Sequence, residues 1–235
     1  MSSVGVLLLL LLISSIPAIA VFIWFRCAHY PFSLPRFSFS LLAGAASFFP
    51  ALFFQTVLAS ERWSFFLTGK WGLITGIFFR IAFTEELSRL IVLILLFFVI
   101  HRLSAVEQPD SNPVSADTMA SAAGLIAGLG FAILESTVYG ASNPGNALLR
   151  TFTAAPLHGA CGFRVGSAIA MFRERRAQAI FRFLSAVAIH GIYNFMLLIP
   201  GLFPSIAAIL IALSALASSV LTIHRGMKCE NAERT

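Results

Sequence analysis

The sequence is short of charge. Only 11% of its 235 residues are Asp, Glu, Lys or Arg, against about 25% in a soluble globular domain. That scarcity excludes an ordinary water-soluble fold. Cysteine is scarce too: Cys27, Cys161 and Cys229 are scattered and show no metal-ligand spacing, which excludes a disulfide scaffold and a cysteine-based zinc site. There is no His-Glu-x-x-His, so the helix of a soluble zinc protease is absent. There is no internal repeat, no low-complexity tract beyond the leucines of 7–12, and no stretch that reads as a separate soluble domain. Residues 1–235 read as a single integral membrane domain.

What fills the chain is apolar. Hydrophobic residues make up 58% and the mean hydropathy is +0.89. A hydrocarbon layer about 30 Å thick needs around 20 apolar residues per helix. Seven stretches qualify: 4–25, 39–58, 71–100, 118–139, 147–171, 179–199 and 202–223. The expected fold is all-α, a polytopic transmembrane bundle of about seven helices. The third stretch is long enough to tilt or to begin with an interfacial turn. The first resembles a signal peptide with a candidate cleavage site at Ala18-Ile19-Ala20. However, no basic residue precedes 7–12, and the apolar run continues to Phe25, so a retained helix is expected.

The net charge of +6 does not point to nucleic acid, because the basic residues lie in short connections. Arg26, Arg36, Arg102, Arg173, Arg175, Arg176, Arg182, Arg225, Lys228 and Arg234 fall in the odd-numbered loops and the tail. Arg62 and Lys70 fall in the even ones, with Arg150 at a helix entrance, where an interfacial anchor reaching outward is expected. This bias sets the odd loops and the C-terminus in the cytoplasm and the N-terminus outside. The third loop, 101–117, is polar and broken by Pro109 and Pro113; Asn143-Pro144-Gly145 reads as a tight outer turn and Pro200-Gly201 as a hairpin.

Against this background a few polar groups stand out. Glu85, Glu86 and Arg89 interrupt the third run, Glu135 the fourth, His158 the fifth and His190 the sixth. A charge at bilayer depth costs roughly 2.5–3.5 kcal/mol on insertion scales, so such residues are rare and mark function. At about 1.5 Å per residue, Glu135 lies roughly 6 Å below the outer end of its helix, His158 about 16 Å and His190 about 14 Å. All of these groups can meet between mid-membrane and the outer leaflet. Glu85 and Arg89 are i,i+4 and share a face, while Glu86 is i,i+3 from Arg89. On this reading Arg89 neutralises Glu85, and Glu86 is the expected general base. Asn194, i,i+4 from His190, is placed to fix an imidazole or a substrate carbonyl. The Gly124–Gly128 and Gly162–Gly166 spacings allow close helix approach.

Carboxylates with imidazoles suit hydrolysis. Either His and Glu hold zinc while another Glu deprotonates water, or a Glu–His set activates water without metal. A proton-coupled transporter is the alternative, although transporters commonly show repeated halves and none is found.

Four segments in order, Glu85-Glu86-x-x-Arg89, Gly130-Phe131-Ala132-x-x-Glu135, His158 preceded by Arg150 and Pro156, and His190-Gly191-x-Tyr193-Asn194, resemble the motifs of the PrsW family of bacterial intramembrane proteases. The family is similar, distantly, to the CAAX-processing and bacteriocin-immunity glutamate proteases. The resemblance implies a multi-pass protease of the bacterial inner (cytoplasmic) membrane. Its implied substrate is a membrane-anchored protein or peptide, such as an anti-sigma factor, cut near the extracytoplasmic side. The implied site is Glu85, Glu86, Arg89, Glu135, His158, His190 and Asn194, within catalytic core helices spanning about 71–199. Zinc is the expected cofactor, on Glu135, His158 and His190. Where the family often has Lys, Asn and Asp, this chain has Arg89, Ser136 and Asn194; the last keeps hydrogen bonding but cannot ionise.

The orientation is testable by fusion. Alkaline phosphatase inserted at Asn143 is expected to be active, and the same enzyme fused after Thr235 inactive; the reverse pattern would invert the topology.

Overall fold

The computed structural model describes residues 3–59, 69–104 and 116–232. Pro109 and Pro113 of the polar connection, Arg62 of the second loop and Arg234 of the tail lie outside the described residues. Among those described there is helix and no strand. The helices are α1 (Ser3–Cys27), α2 (Leu34–Leu58), α3 (Gly69–Thr75), a π-helical segment (Gly76–Phe83), α4 (Thr84–Ser104), α5 (Ala116–Ser142), α6 (Pro144–Met171), α7 (Arg176–Leu198) and α8 (Leu202–Ala232). The third apolar run is thus one continuous helical passage from Gly69 to Ser104 that changes its winding midway. All seven expected passages are present, with ends moved by a few residues.

Five helices are long and apolar enough to cross a membrane by length and composition: Val4–Cys27, Leu34–Leu58, Asp117–Ser142, Arg176–Leu198 and Leu202–Gly226. The other two passages, Gly69–Ser104 and α6, carry most of the intramembrane charge. Side chains are distributed inside out relative to a soluble protein. Phe203 is 89% and Phe181 72% exposed, whereas Glu86 and Arg89 have no exposed surface. Lipid is as apolar as Leu, so outward apolar faces cost nothing there, and polar groups are gathered within the bundle.

Many hydroxyls along the helices find partners on their own helix, although those of Ser14, Ser88 and Ser136 are buried without one. Ser40 donates to the Arg36 carbonyl at 2.8 Å, Ser47 to Gly44 at 2.6 Å and Thr151 to Ala147 at 2.8 Å, as a water-free medium requires. Turn chemistry sets the joints. The Asn143 side chain accepts from the Gly145 N–H at 3.0 Å with Pro144 opening α6, a proline N-terminus that needs no amide there. Gly201, at φ 129°, turns the chain from α7 into α8.

The packing is closest where small residues replace side chains. The pair α5–α6 is the most extensive in the bundle. A Cβ on Gly128 would lie 1.9 Å from the His158 carbonyl oxygen, and one on Gly124 or Gly162 would lie 2.2 Å from the other's carbonyl oxygen. The two backbones therefore touch, as the glycine spacings predict. Helix α2 is pinned to α5 in the same way, through Gly44 against the Ala127 carbonyl and Gly130 against that of Leu41.

These contacts predict opposite outcomes for two glycines. Gly128→Ala must push backbone from backbone and is expected to cost about 1–3 kcal/mol, the range for overpacking. A methyl group on Gly76 would meet nothing within 4 Å, so Gly76→Ala is expected to be neutral to within about 0.5 kcal/mol. Unfolding of both variants in detergent micelles, against the parent, checks the contrast.

Candidate active site

The polar residues singled out in the sequence come from four helices. Glu85, Glu86 and Arg89 lie on the first two turns of α4, Glu135 on α5, His158 on α6, and His190 with Asn194 on α7. The π-helical segment ends immediately before the first of them. A π-bulge adds a residue to a turn and so rotates the downstream helix by about 100°. Past this segment, Glu85, Glu86, Arg89 and Leu93 all face inward, each 4% exposed or less. The Thr84 hydroxyl, at 3.0 Å from the Ile81 carbonyl, takes up a backbone acceptor at the junction. The segment also packs onto α7: a Cβ on Gly191 would meet the Phe78 ring at 2.3 Å. The glycine after His190 is the space that ring occupies.

The side chains form one connected polar chain. Arg150 donates to Glu135 Oε2, which also lies 2.7 Å from His158 Nε2. His158 Nδ1 is 3.3 Å from Arg89 Nη2. Arg89 Nη1 donates to Glu86 Oε2, and Glu86 Oε1 is 2.8 Å from His190 Nδ1. His190 Nε2 stands 3.5 Å from Glu85 Oε2. Finally, Gln55 Nε2, on α2, donates to Glu85 Oε1 at 2.9 Å. Rings lock the imidazoles: His158 and His190 meet at 5.0 Å almost perpendicular, and Phe131 lies 5.0 Å from His158 and 4.8 Å beneath the Arg89 guanidinium.

This network corrects the expected partner of Arg89. The guanidinium pairs with Glu86 rather than Glu85. Both positions share a helix face with Arg89, but Glu86 points to the same interior side and its two oxygens are fully engaged. Glu85 instead keeps one oxygen, Oε2, buried and without a hydrogen-bond partner. The carboxylate available to a ligand or a water is therefore Glu85, and the reason for taking Glu86 as the base is removed.

The ligand set also differs from the expectation. The donors that close to within 4.8 Å of one another are Glu85, His158 and His190, whereas Glu135 braces His158 from the outer side. These three residues suit a catalytic divalent metal, for which two imidazoles and a carboxylate are a recurrent set. His190 gives Nδ1 to the Glu86 carboxylate and leaves Nε2 toward Glu85, the carboxylate–imidazole arrangement that orients metal ligands. An arginine can only donate, so His158 Nδ1 is the acceptor facing Arg89; that 3.3 Å contact is the weaker of its two and the one a metal would replace. A second group, Glu86, Cys161 and His190, also lies within 4.8 Å, but both Glu86 oxygens are already bonded.

Four more polar residues take defined places. Arg150, expected to reach outward to the interface, turns in to Glu135 and covers the Tyr139 ring at 4.3 Å. Gln55 was missed, although it is the one amide in α2 and follows the apolar run from Phe48 to Phe54, which is the signal that marks it. Asn194 is half-buried one turn beyond His190 and makes no side-chain hydrogen bond among the described residues. Arg164, without an expected role, donates to the Ala160 carbonyl at 2.9 Å and faces the Ser219 hydroxyl at 3.3 Å.

A multi-pass helical bundle with a buried, carboxylate-rich Glu/His cluster belongs to the class of membrane proteins that run hydrolytic chemistry at bilayer depth. Within that class, the family model described as "PrsW family intramembrane metalloprotease" matches residues 34–220. The chain belongs to this family and is an intramembrane peptide hydrolase of a multi-pass membrane type. The match begins at α2, so α1 lies before it. No curated protein and no solved structure matches the chain.

The buried pair makes a stability prediction. Arg89→Met leaves the Glu86 charge uncompensated and is expected to cost about 3–5 kcal/mol. The double variant E86Q/R89M is expected to recover a large part of that loss. A double-mutant cycle from unfolding in detergent checks it; simple additivity would deny the pairing.

Proposed function

We propose that the protein hydrolyses a peptide bond of a membrane-anchored protein near the extracytoplasmic face, through Glu85, His158 and His190. The observation that carries this is the unpartnered Glu85 oxygen beside two buried imidazoles, with a cavity on its other side lined by α2, the π-helical segment and α5. The substrate type that the family resemblance suggests is an anti-sigma factor, and the setting it suggests is the bacterial cytoplasmic membrane. The catalytic unit on this reading is 71–199 together with α2.

Zinc is the divalent ion we assign to this donor set; when bound, it supplies a Lewis acid that acidifies water and polarises a carbonyl. The protein's own groups do the rest. With zinc bound, Glu85 Oε2 would be one of its ligands; without it, Glu85 Oε2 takes the proton as water attacks the carbonyl carbon, and returns it to the departing amine nitrogen as the carbon–nitrogen bond breaks, giving a carboxylic acid and an amine. Glu86 and Glu135 hold the imidazoles of His190 and His158 in one orientation. Arg89 lets Glu86 stay ionised without water. Asn194 is the donor toward the substrate carbonyl, where charge develops.

A metal-free glutamate mechanism is the second reading. It is favoured by His158, both of whose nitrogens already have partners, Glu135 and Arg89.

Cleavage of a single-span reporter in proteoliposomes tests the site. Glu85→Gln and His190→Ala are expected to lower the rate by at least about 10²-fold, the low end for acid–base groups, with the fold intact by size-exclusion chromatography. Full activity in E85Q would end the proposal. Elemental analysis separates the two mechanisms: one zinc per chain, lost in His158→Ala and His190→Ala, supports the metal, and its absence from active protein supports the glutamate route.

A further inference from the structure

The cavity beside Glu85 has a shape that goes beyond holding water. It measures about 160 Å³ and runs between α2, the π-helical segment and α5. Its walls are apolar at Phe48, Leu52, Phe131 and Val138 and polar at Gln55 and Glu135. Its inner end is formed by buried groups, Phe131 at 1% and Glu85 at 4% exposed, and its rim by Leu52, Val138 and Tyr139, each at least half exposed. The cavity therefore opens on the lipid-facing side and closes on the carboxylate with the unpartnered oxygen.

A substrate helix cannot offer its peptide bonds to a base while each carbonyl is engaged in the helical ladder. It must be extended at the cut, and the residue next to the scissile bond then needs somewhere to put its side chain. An apolar cavity of about 150 Å³ takes a benzene ring, so this one accommodates a phenyl or a branched aliphatic group. Of the carboxylates at its inner end, Glu135 and one oxygen of Glu85 are already engaged, and Glu85 Oε2 is kept for the reacting water. Glu135 is held by Arg150 and His158, and Glu85 by Gln55 through one oxygen.

We propose that this cleft is the specificity subsite of the enzyme, taking one bulky apolar side chain, Leu, Phe or Met, of the substrate residue that adjoins the scissile bond. The inference rests on the protease reading above and names what that site selects. Substrate enters sideways from the outer leaflet, between the last turns of α2 and of α5. Selection is exerted by Phe48 and Leu52 of α2, a helix that contributes none of the four family motifs.

The test uses synthetic single-span peptides, each carrying one randomised residue in the extracytoplasmic juxtamembrane stretch. They are reconstituted with the full chain in phosphatidylethanolamine–phosphatidylglycerol vesicles, and cut sites are read by mass spectrometry. Bulky apolar residues are expected at one fixed position beside the cut, about tenfold over Ala, the lower range for a hydrophobic pocket. Leu52→Trp, at a half-exposed rim position, narrows the cleft and should lower the Phe-to-Ala ratio at least threefold. Phe48→Ala widens it and should move the preference toward Trp. Ratios are taken within one preparation, so partial loss of folded protein leaves them unchanged. Cutting without side-chain preference, enrichment for Lys or Arg, or unaltered ratios in both variants would overturn the subsite and leave the protease reading standing. No cutting of any peptide by the parent chain, with E85Q as the blank, would overturn both.

Discussion

The site depends on one guanidinium. Arg89 has no exposed surface, pairs with Glu86, faces His158 and rests on the Phe131 ring. Without water to solvate them, two adjacent carboxylates on one helix repel, and the desolvation of each costs several kcal/mol. Arg89 removes half of that problem by taking Glu86 out of play as a free charge. Glu86 is then a fixed acceptor that sets His190, and Glu85 is left with the unpartnered oxygen. The asymmetry between two neighbouring, chemically identical residues comes from this single pairing.

Much of this was legible in the chain. Seven apolar runs gave seven helical passages, and the isolated Glu, Arg and His residues fell into one cluster because nothing else in a bilayer solvates them. The spacings Gly124–Gly128 and Gly162–Gly166 marked the closest helix contact. What the spacing could not decide was the partner of Arg89. Positions i−3 and i−4 lie on the same face of a helix, and only the neighbouring helices determine which carboxylate turns inward. The change to π winding over Gly76–Phe83 has no residue pattern that announces it, yet it sets the direction in which every side chain of α4 points. Arg150 was misplaced because an arginine near a helix end has two uses, reaching to the interface or reaching back to a buried carboxylate, and sequence does not say that Glu135 is within reach.

The family match covers α2 to most of α8, and the motifs within it span α4 to α7. The participation of α2 is thus the part of the site that motif reading leaves out. Gln55 steadies Glu85, and the residues one and two turns before it wall the cavity. A helix outside the motifs thus shapes the site alongside the helices that carry its charges.

The glycine contacts give the bundle uneven stiffness. Along α5 and α6, and where the first half of α2 meets α5, backbone lies directly on backbone, and such seams have no side chain that can swing aside. Beyond Pro50, a residue that interrupts the helical hydrogen bonding, α2 meets the π-helical segment only lightly and holds Glu85 by one amide. The wall of the cleft on the α2 side is therefore the compliant one. Pressure on that wall would act on a few side chains there and on backbone seams opposite, so Glu135 on α5 and His158 on α6 would keep their positions while the opening adjusts.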